Sequence, residues 1–392
     1  MTRRLPPASR RLPSASPPAL LSRLATASRL PLAGGAVILA AAAVVASLSA
    51  CSSSTPTTST PTARPSDSAT AVSQGVGGFE QWPERVYSPY FETWTNGSIP
   101  AIAAQSGAKY FNLGFLQAAS PGSCTLTWDG NSSEPADGSS YGSEIGQLKQ
   151  AGGNVALTLG GQNAGNDGTE IADSCPDVST IAADYESLIS TYHVTRLDMD
   201  VELNALNDTA GIDRRNKAIA MTEAWAASNG HALQIEYTLP VQPSGLQPNV
   251  LAVLQNAASE GAHVDVVNIM TFDYYTGSGP LNMGAEALSA AESVHGQLAS
   301  LYPKDSQQEL WATEGITFLP GIDDNSSKTE VTYFSDAQRI LDFARSHGLG
   351  LLSIWAIERD NGGCPGTIDS NSCSGITQGT WAFSHLLESF TG

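Results

Sequence analysis

Cysteine is scarce in this 392-residue chain, and its five cysteines show no CxxC spacing. A disulfide-dense miniprotein is therefore excluded, and a zinc site is not supported. Basic residues are also few. Six of the 19 lysines and arginines lie in the first 51 residues, which leaves 13 basic against 38 acidic residues in the rest. This charge argues against binding to nucleic acids or to anionic lipid headgroups. The hydrophobic content of 41% is typical of a globular protein.

The N-terminal segment has the pattern of an export signal. An arginine-rich stretch precedes the apolar run 32–48, and small residues precede Cys51. A basic region, an apolar core and small residues at a cleavage point are typical of a secretory signal peptide. Residues 48–51, Leu-Ser-Ala-Cys, resemble a bacterial lipobox, so we expect a lipoprotein signal peptide over 1–50 and lipidation of Cys51. A transmembrane helix is the alternative, because the run approaches 18 residues.

Residues 51–80 are rich in Ser, Thr and Pro and have almost no large apolar side chain. Such a segment cannot bury enough surface to fold, so we expect an extended linker. With a lipid on Cys51, the linker would hold the rest of the chain at the extracellular face of the cell membrane. Without the lipid, the chain would be secreted. Four cysteines follow Cys51, and an even number in an exported chain suggests two disulfides. We expect the pairs Cys364–Cys373 and Cys124–Cys175.

Residues 81–392 show β-rich runs that alternate with helical patterns. Alternating strands and helices imply parallel pairing, and eight strands fit an α/β fold of the (β/α)8 TIM-barrel type, as a single catalytic domain. A doubly wound open sheet is the alternative, but no glycine-rich dinucleotide-binding motif follows any of the predicted strands. We also expect helices at 212–228 and 336–347, the second with Ser335 as its N-cap and Gly348 after its end. The predicted strands are 85–91, 110–116, 155–159, 196–201, 233–239, 264–271, 310–315 and 351–355.

The fourth predicted strand carries alternating acids. Asp198, Asp200 and Glu202 point to one side of a strand, because alternate residues share a face, and the residues between them are apolar. Burial and mutual repulsion should raise the pKa of at least one of these carboxyls, as a general acid near neutral pH requires. A Mg²⁺ site is the alternative, but no His or second carboxylate cluster follows a neighbouring strand. We therefore expect no metal.

These motifs resemble glycoside hydrolase family 18, the chitinases. The family pattern DGxDxDxE aligns with residues 195–202, where Thr195 and Arg196 replace its first Asp and its Gly. We expect the Thr195 departure to touch the outer member of the acidic series. The pattern SxGG is similar to residues 158–161, Thr-Leu-Gly-Gly, which contains Gly160. The order of the motifs along the chain also agrees with the family.

Two further family motifs have counterparts here. The pattern MxYD is similar to Met270-Thr271-Phe272-Asp273, in which Phe272 replaces the Tyr that contacts the acetamido group of the substrate. A hydroxyl from Tyr274 or Tyr275 could replace that contact. The family's Trp at the end of the eighth strand corresponds to Trp355. The loop Asp323-Asp324-Asn325 lacks the Gly and the distal Glu of a calcium loop, so we expect a solvated turn there.

The resemblance implies hydrolysis of chitin or chitooligosaccharides with no cofactor. Glu202 would be the general acid, Asp200 would orient the 2-acetamido group that acts as nucleophile, and Asp198 would share a proton with Asp200. The implied substrate-binding residues are Trp355, Asp273, Met270, Tyr274 and Gly160. We expect a monomer that meets the membrane only through its lipid. The alternatives are an endo-β-N-acetylglucosaminidase or peptidoglycan hydrolase with the same mechanism, or a non-catalytic sugar-binding lipoprotein.

Overall fold

A computed structural model describes residues 80–95, 97–275, 279–324, 328–368 and 371–392. The predicted signal peptide, Cys51 and nearly all of the predicted linker lie outside the described residues. The domain boundaries at residues 50 and 80 therefore stay predictions.

Parallel strands form a closed barrel. They are β1 in two segments (Val86–Tyr87 and Tyr90–Glu92), β2 (Tyr110–Ala118), β3 (Asn154–Gly160), β4 (Arg196–Asp200), β5 (Gln234–Pro240), β6 (Val266–Met270), β7 (Glu314–Phe318) and β8 (Leu351–Ile354). Each strand pairs with its successor, and the first segment of β1 pairs with β8 while the second pairs with β2. Because only two residues separate these segments, the sheet closes on itself. The predicted (β/α)8 barrel is confirmed.

Helices connect and flank the strands. The α-helices are Ile99–Ser106, Gly142–Gln150, Gly161–Asp167, Ile171–Ser174, Val178–Tyr192, Thr209–Asn229, Pro248–Glu260, Met283–Leu301, Gln307–Thr313, Phe334–His347 and Ala382–Leu387. Short 3₁₀ turns occupy Leu203–Leu206, Ile357–Arg359 and Glu388–Phe390. Two additions flank the barrel: Leu126–Trp128 pairs antiparallel with β2, and Gly321–Ile322 pairs with Val331–Thr332 after β7. Among the described helices, none combines the length and the apolar character needed to cross a bilayer.

Successive side chains of β4 point alternately to the helices outside the barrel and to the barrel interior. Leu197 and Met199 are buried in the same hydrophobic core as Ile189 and Ile219 of the surrounding helices. The acids between them therefore face the barrel interior, as the period of two in a strand requires. This arrangement brings the polar side chains of the strands together inside the barrel.

Two local predictions were wrong. The run 310–315 begins in helix Gln307–Thr313, and β7 starts only at Glu314. A capping box explains the difference, because Ser306 accepts from the Glu309 amide while the Glu309 carboxylate accepts from the Ser306 amide. The helix Phe334–His347 has Tyr333 as its N-cap and not Ser335. The expected end at Gly348 is confirmed by its left-handed φ of 79°.

Both predicted disulfides are present. Cys124–Cys175 joins the loop after β2 to the segment before helix Val178–Tyr192, with a Cα–Cα distance of 4.7 Å. Cys364–Cys373 closes a short loop after β8, with a Cα–Cα distance of 6.0 Å. Both bridges lie on the side of the barrel where the strands end, and they hold the loops that surround the cavity described next.

Candidate active site

A cavity of about 430 Å³ lies at the carboxyl ends of the barrel strands. The last residues of the strands and the residues just after them form its walls. In a (β/α)8 barrel this end carries the active site in essentially every characterised enzyme. Asp200, Glu202, Met270, Asp273 and Trp355, all singled out from the sequence, line the cavity.

Asp198 lies below the cavity, fully buried in the barrel interior. Its Oδ2 accepts hydrogen bonds from Tyr90 Oη at 2.8 Å, Thr158 Oγ1 at 2.9 Å and Asn112 Nδ2 at 3.2 Å. Its Oδ1 accepts from Thr238 Oγ1 at 2.8 Å. Burial raises the pKa of Asp198, and these four donors oppose the rise because they stabilise the carboxylate. Asp198 is therefore fixed in position by four strands.

Asp200 lines the cavity, two residues after Asp198 on β4. It is 3% exposed, and its Oδ1 has no hydrogen-bond partner among the described residues. Burial raises the pKa of Asp200 well above its ordinary value, and the charges of Glu202, Asp198 and Glu236 raise it further. A buried oxygen without a partner is costly unless a ligand supplies one. Asp200 therefore offers the cavity an unused hydrogen-bonding atom.

Glu202 follows β4 by two residues and lines the same cavity. Burial raises the pKa of Glu202 to about 7, and the charge of Asp324 contributes to the rise. A carboxyl with this pKa carries its proton in a large fraction of molecules at neutral pH. It can therefore donate that proton to a ligand and later take one back.

Gly160 does not line the cavity and instead allows β3 to pass close to Asp200. A Cβ at position 160 would lie 2.0 Å from the carbonyl oxygen of Asp200, and the φ of Gly160 is 108°. No other residue fits both constraints. The expectation of substrate contact at Gly160 is therefore not supported, and its role is to position Asp200. Thr158 of the same motif donates to Asp198, as described above.

Aromatic rings form one side of the cavity. The Trp355 ring is 5.5 Å from Phe115 and 6.1 Å from Trp94, measured between centroids, and Tyr90 meets it edge-on at 5.4 Å. Trp94 is 44% exposed although it is a large apolar residue. Such rings present flat apolar faces of the kind that pack on the C–H faces of sugars. The sequence analysis missed Trp94 and Phe115, although their places after β1 and within β2 marked them as residues near the strand ends.

The motif on β6 is divided between the cavity and the core. Met270, Phe272 and Asp273 line the cavity, and Phe272 brings no hydroxyl group. Tyr274 is only 4% exposed and packs in the hydrophobic core, while Tyr275 is 67% exposed, and neither lines the cavity. The expectation that Tyr274 contacts substrate is therefore corrected. Asp273 has a left-handed φ of 54°, so the backbone turns at this residue and Tyr274 packs in the core and not in the cavity.

Three carboxyls meet beside Glu202. Oxygens of Asp273, Asp323 and Asp324 lie within 4.8 Å of one another, and they are the group among the described residues that could ligate a cation. The expected solvated turn at Asp323 is wrong, because Asp323 is 2% exposed and accepts a hydrogen bond from the Asp273 amide at 3.0 Å. Burial and the charge of Asp323 raise the pKa of Asp273 to about 8. Asp273 and Asp324 both reach the cavity wall.

The two departures from the DGxDxDxE pattern lie away from the cavity. Thr195 Oγ1 donates to the carbonyl of Glu80 at 2.7 Å, outside the row of acids, so the expectation that this change touches that row is wrong. Arg196 lies on the interior face below Asp198. Its guanidinium is 4.0 Å from the Trp82 ring centroid and 3.4 Å from the Glu236 carboxylate. Neither Thr195 nor Arg196 lines the cavity.

The sequence model of the family "Glycosyl hydrolases family 18" matches residues 86–319 of this chain. The chain belongs to this family. Two relatives are 33% identical to it: "Probable bifunctional chitinase/lysozyme" of Escherichia coli (strain K12) over 79% of this chain, and "Endochitinase 11" of Metarhizium anisopliae over 71%. The chain spans only 35% and 53% of the lengths of these relatives.

Solved structures agree with the family membership. The catalytic domain of a hyperthermophilic chitinase from Pyrococcus furiosus is 28% identical, with a TM-score of 0.69 over 79% of this chain and 96% of that one. Catalytic-site mutants of active domain 2 of a thermostable chitinase from the same organism, complexed with chito-oligosaccharides, give a TM-score of 0.69 at 27% identity, over 80% of this chain and 97% of that one. The match therefore extends over nearly the whole length of those two solved chains.

Proposed function

We propose that this family 18 protein is a chitinase-like hydrolase of β-1,4-linked N-acetylglucosamine. The observation that carries the proposal is the pairing of Glu202 with Asp200 in one aromatic-walled cavity. One carboxyl has a pKa of about 7 and the other has an oxygen without a partner. The chitinases named among the relatives and the solved structures support this substrate class.

In the proposed reaction Glu202 acts first as general acid. Its proton passes to the glycosidic oxygen as the leaving sugar departs, and the oxygen of the substrate's own 2-acetamido group attacks the anomeric carbon. This forms an oxazolinium ion and leaves Glu202 ionised. Glu202 then takes a proton from a water molecule, which opens the ion with net retention of configuration. No protein nucleophile is needed, in contrast to the two-carboxylate scheme.

Asp200 has the second role. Its unpartnered Oδ1 would accept the acetamido N–H, and its negative charge would stabilise the positive oxazolinium ion. Burial and the neighbouring carboxylates raise the pKa of Asp200, and the acetamido N–H and the developing positive charge would favour its ionised form. Asp198 is the neighbouring acceptor, so the two carboxyls titrate as a pair. Trp355 would form the apolar floor beneath the reacting sugar.

The charge of the cavity favours chitin over peptidoglycan. Every second sugar of a peptidoglycan strand carries a lactyl group that ends in a carboxyl or an attached peptide, whereas chitin is uncharged. Asp129, Asp273 and Asp324 line the cavity in addition to Asp200 and Glu202, and burial raises the pKa of each, so an anionic sugar would be repelled at the pH values where these carboxyls ionise. An endo-β-N-acetylglucosaminidase acting on N-glycan cores remains an outcome of the test below.

The direct test is Glu202→Gln. We expect hydrolysis of chitooligosaccharides to fall by about a thousand-fold or more while their binding survives, because the amide keeps the shape and loses the proton. Glu292→Gln on the exposed face of helix Met283–Leu301 is the matched control and should retain full activity. Product mass spectrometry with chitin oligomers, N-glycans and peptidoglycan side by side identifies the substrate. Unchanged turnover in Glu202→Gln would remove Glu202 from the mechanism, and binding without turnover by the unaltered protein would favour the non-catalytic alternative.

We also propose that the chain is exported and anchored by a lipid on Cys51. The support is the sequence of residues 1–51 alone. Replacing Cys51 by Ala should move the protein from the membrane fraction to the soluble fraction of cells that express it. Persistent membrane association of that variant would indicate that the apolar run itself spans the bilayer. The monomeric state stays a prediction, which gel filtration checks.

A further inference from the structure

One residue of the cavity wall comes from the loop after the eighth strand. Asn371 lines the cavity, although it lies beyond residues 86–319, over which the family model matches. It stands two residues before Cys373, which is bridged to Cys364. The proposed reaction gives Asn371 no part in the chemistry, so its position in the wall points to a contact with another part of the ligand.

A buried carboxyl holds the Asn371 side chain. Asn371 Nδ2 donates a hydrogen bond to Glu92 Oε1 at 2.9 Å. Glu92 ends the second segment of β1, is 0% exposed and does not itself line the cavity. Tyr90 and Trp94, which precede and follow Glu92 by two residues, both line the cavity. The bond to Glu92 therefore keeps Asn371 beside the aromatic side of the cavity.

Glu92 is in turn fixed to the end of β8. Its amide donates to Glu358 Oε1 at 3.2 Å, and Thr95 Oγ1 donates to the same oxygen at 3.4 Å. Glu358 follows Trp355 by three residues. Burial and the charge of Glu358 raise the pKa of Glu92 to about 8, so Glu92 is largely protonated at neutral pH. A protonated carboxyl still accepts through its carbonyl oxygen, so Glu92 acts on Asn371 as a hydrogen-bond acceptor and not as a charge.

The backbone beside Asn371 is held as well. Asn361 Nδ2 donates to the carbonyl of Ser372 at 2.5 Å and to that of Glu358 at 2.9 Å. Asn371 is thus fixed through its own side chain, through the next residue and through the nearby disulfide. A side chain that is ordered before a ligand binds avoids part of the entropy cost of the contact. The loop therefore presents a preorganised amide at the cavity surface.

We propose that Asn371 determines substrate affinity by hydrogen bonding to the sugar unit next to the one at the cleavage point, and that Glu92 is its positioning residue. This inference rests on the proposed function, because Glu202 and Trp355 define the cleavage point. An amide both donates and accepts, which suits the neutral hydroxyl and acetamido groups that every unit of chitin carries. The contact is made before and during the reaction alike, so it acts on binding and not on the chemical step.

The test is Asn371→Ala in steady-state kinetics with a chitooligosaccharide. We expect KM to rise about five- to ten-fold while kcat stays within about two-fold. In the Glu202→Gln background, titration calorimetry should show the same factor in the Kd of that oligomer. Asn229→Ala is the matched control, because Asn229 is exposed at the end of helix Thr209–Asn229 and outside the cavity wall, and it should change neither constant.

Two substitutions of Glu92 test its positioning role. Glu92→Gln keeps an oxygen that accepts from Asn371, so KM should stay near that of the unaltered protein. Glu92→Leu fills similar space without an acceptor and should raise KM as Asn371→Ala does. The double variant Glu92→Leu/Asn371→Ala should bind no more weakly than either single variant, because both changes remove the same interaction.

The outcomes separate this inference from the proposed function. Unchanged KM and Kd in Asn371→Ala would overturn the role of Asn371, as would a lower kcat at unchanged KM, which indicates a smaller folded fraction. Equal KM values in the Gln and Leu variants of Glu92 would overturn its positioning role. No hydrolysis by the unaltered protein would overturn the proposed function instead, while the Kd comparison in the Glu202→Gln background would still decide whether Asn371 contacts the oligomer.

Discussion

The activity of the protein should fall as pH rises, and replacing Asp324 by Asn should move this fall to a lower pH. Asp324 lines the cavity with Glu202, and its charge is the one that raises the pKa of Glu202 beyond the effect of burial. The general acid must be protonated, so activity disappears as pH rises through this pKa. Removing the negative charge lowers the pKa of Glu202 and moves the basic limb of the pH profile toward lower pH.

The size of this shift can be bounded. The pKa of Glu202 rises from 4.5 to about 7, and burial is the larger of the two causes. Asp324 therefore accounts for less than half of the rise, so we expect a shift of about 0.7 pH units. With a pKa lowered from about 7 to about 6.3, the protonated fraction at pH 7.5 falls about four-fold, while at pH 5 it changes by less than about a tenth.

The assay is kcat/KM for a chromogenic chitooligosaccharide between about pH 4 and pH 9, since this constant reports the ionisations of the free enzyme. Asp342→Asn, on the exposed face of helix Phe334–His347, is the control for removal of one surface charge and should keep the original basic limb. An unchanged or raised basic limb in a folded Asp324→Asn variant would refute the reasoning, as would a loss of activity that is equal at every pH.

Three other perturbations have defined outcomes. Trp355→Ala should lower kcat/KM by about ten- to a hundred-fold, with Trp355→Phe between the two, because the apolar floor is lost; equal kinetics would place Trp355 outside the sugar site. Replacing both cysteines of the Cys124–Cys175 bridge by Ser should lower the unfolding free energy by about 4 kcal/mol, against about 2.5 kcal/mol for the Cys364–Cys373 bridge. The difference arises because the two bridges close loops of 51 and 9 residues. A larger loss for the Cys364–Cys373 variant in denaturant unfolding would contradict this account. Burial raises the pKa of Glu314 to about 9, so the native state holds a proton that the unfolded chain has lost above about pH 4.5. The unfolding free energy should therefore fall as pH rises from about 5 to 9. Glu314→Gln should reduce this fall by about 1 kcal/mol or more, and an unchanged pH dependence would contradict the argument.

The architecture was predictable because it depends on periodicity. Eight apolar runs separated by amphipathic stretches are enough to define a parallel barrel, and the period of two in β4 places Asp198 and Asp200 on the interior face. The position of these acids at the end of the strand then follows from the barrel itself. The boundary at Glu314 was lost because an apolar run can belong to a helix or a strand, and the capping box at Ser306 decides between them.

The walls of the cavity were less predictable because they depend on loops. The reversal at Asp273 turns Tyr274 into the core, and a left-handed residue of this kind has no clear sequence signal. Asp324 and Asp129 come near Glu202 and Phe115 through loop conformations that sequence spacing does not encode. Trp94 could have been found, because it follows the first strand at the end where barrel active sites lie.

The central claim is that the substrate's acetamido group attacks the anomeric carbon while Glu202 supplies the proton. Time-resolved proton NMR of the first products from a chitooligosaccharide tests this most directly, before the anomers equilibrate. The account predicts that the new reducing end appears as the β-anomer. First appearance of the α-anomer would show direct attack by water and would contradict the roles given to Asp200 and Glu202.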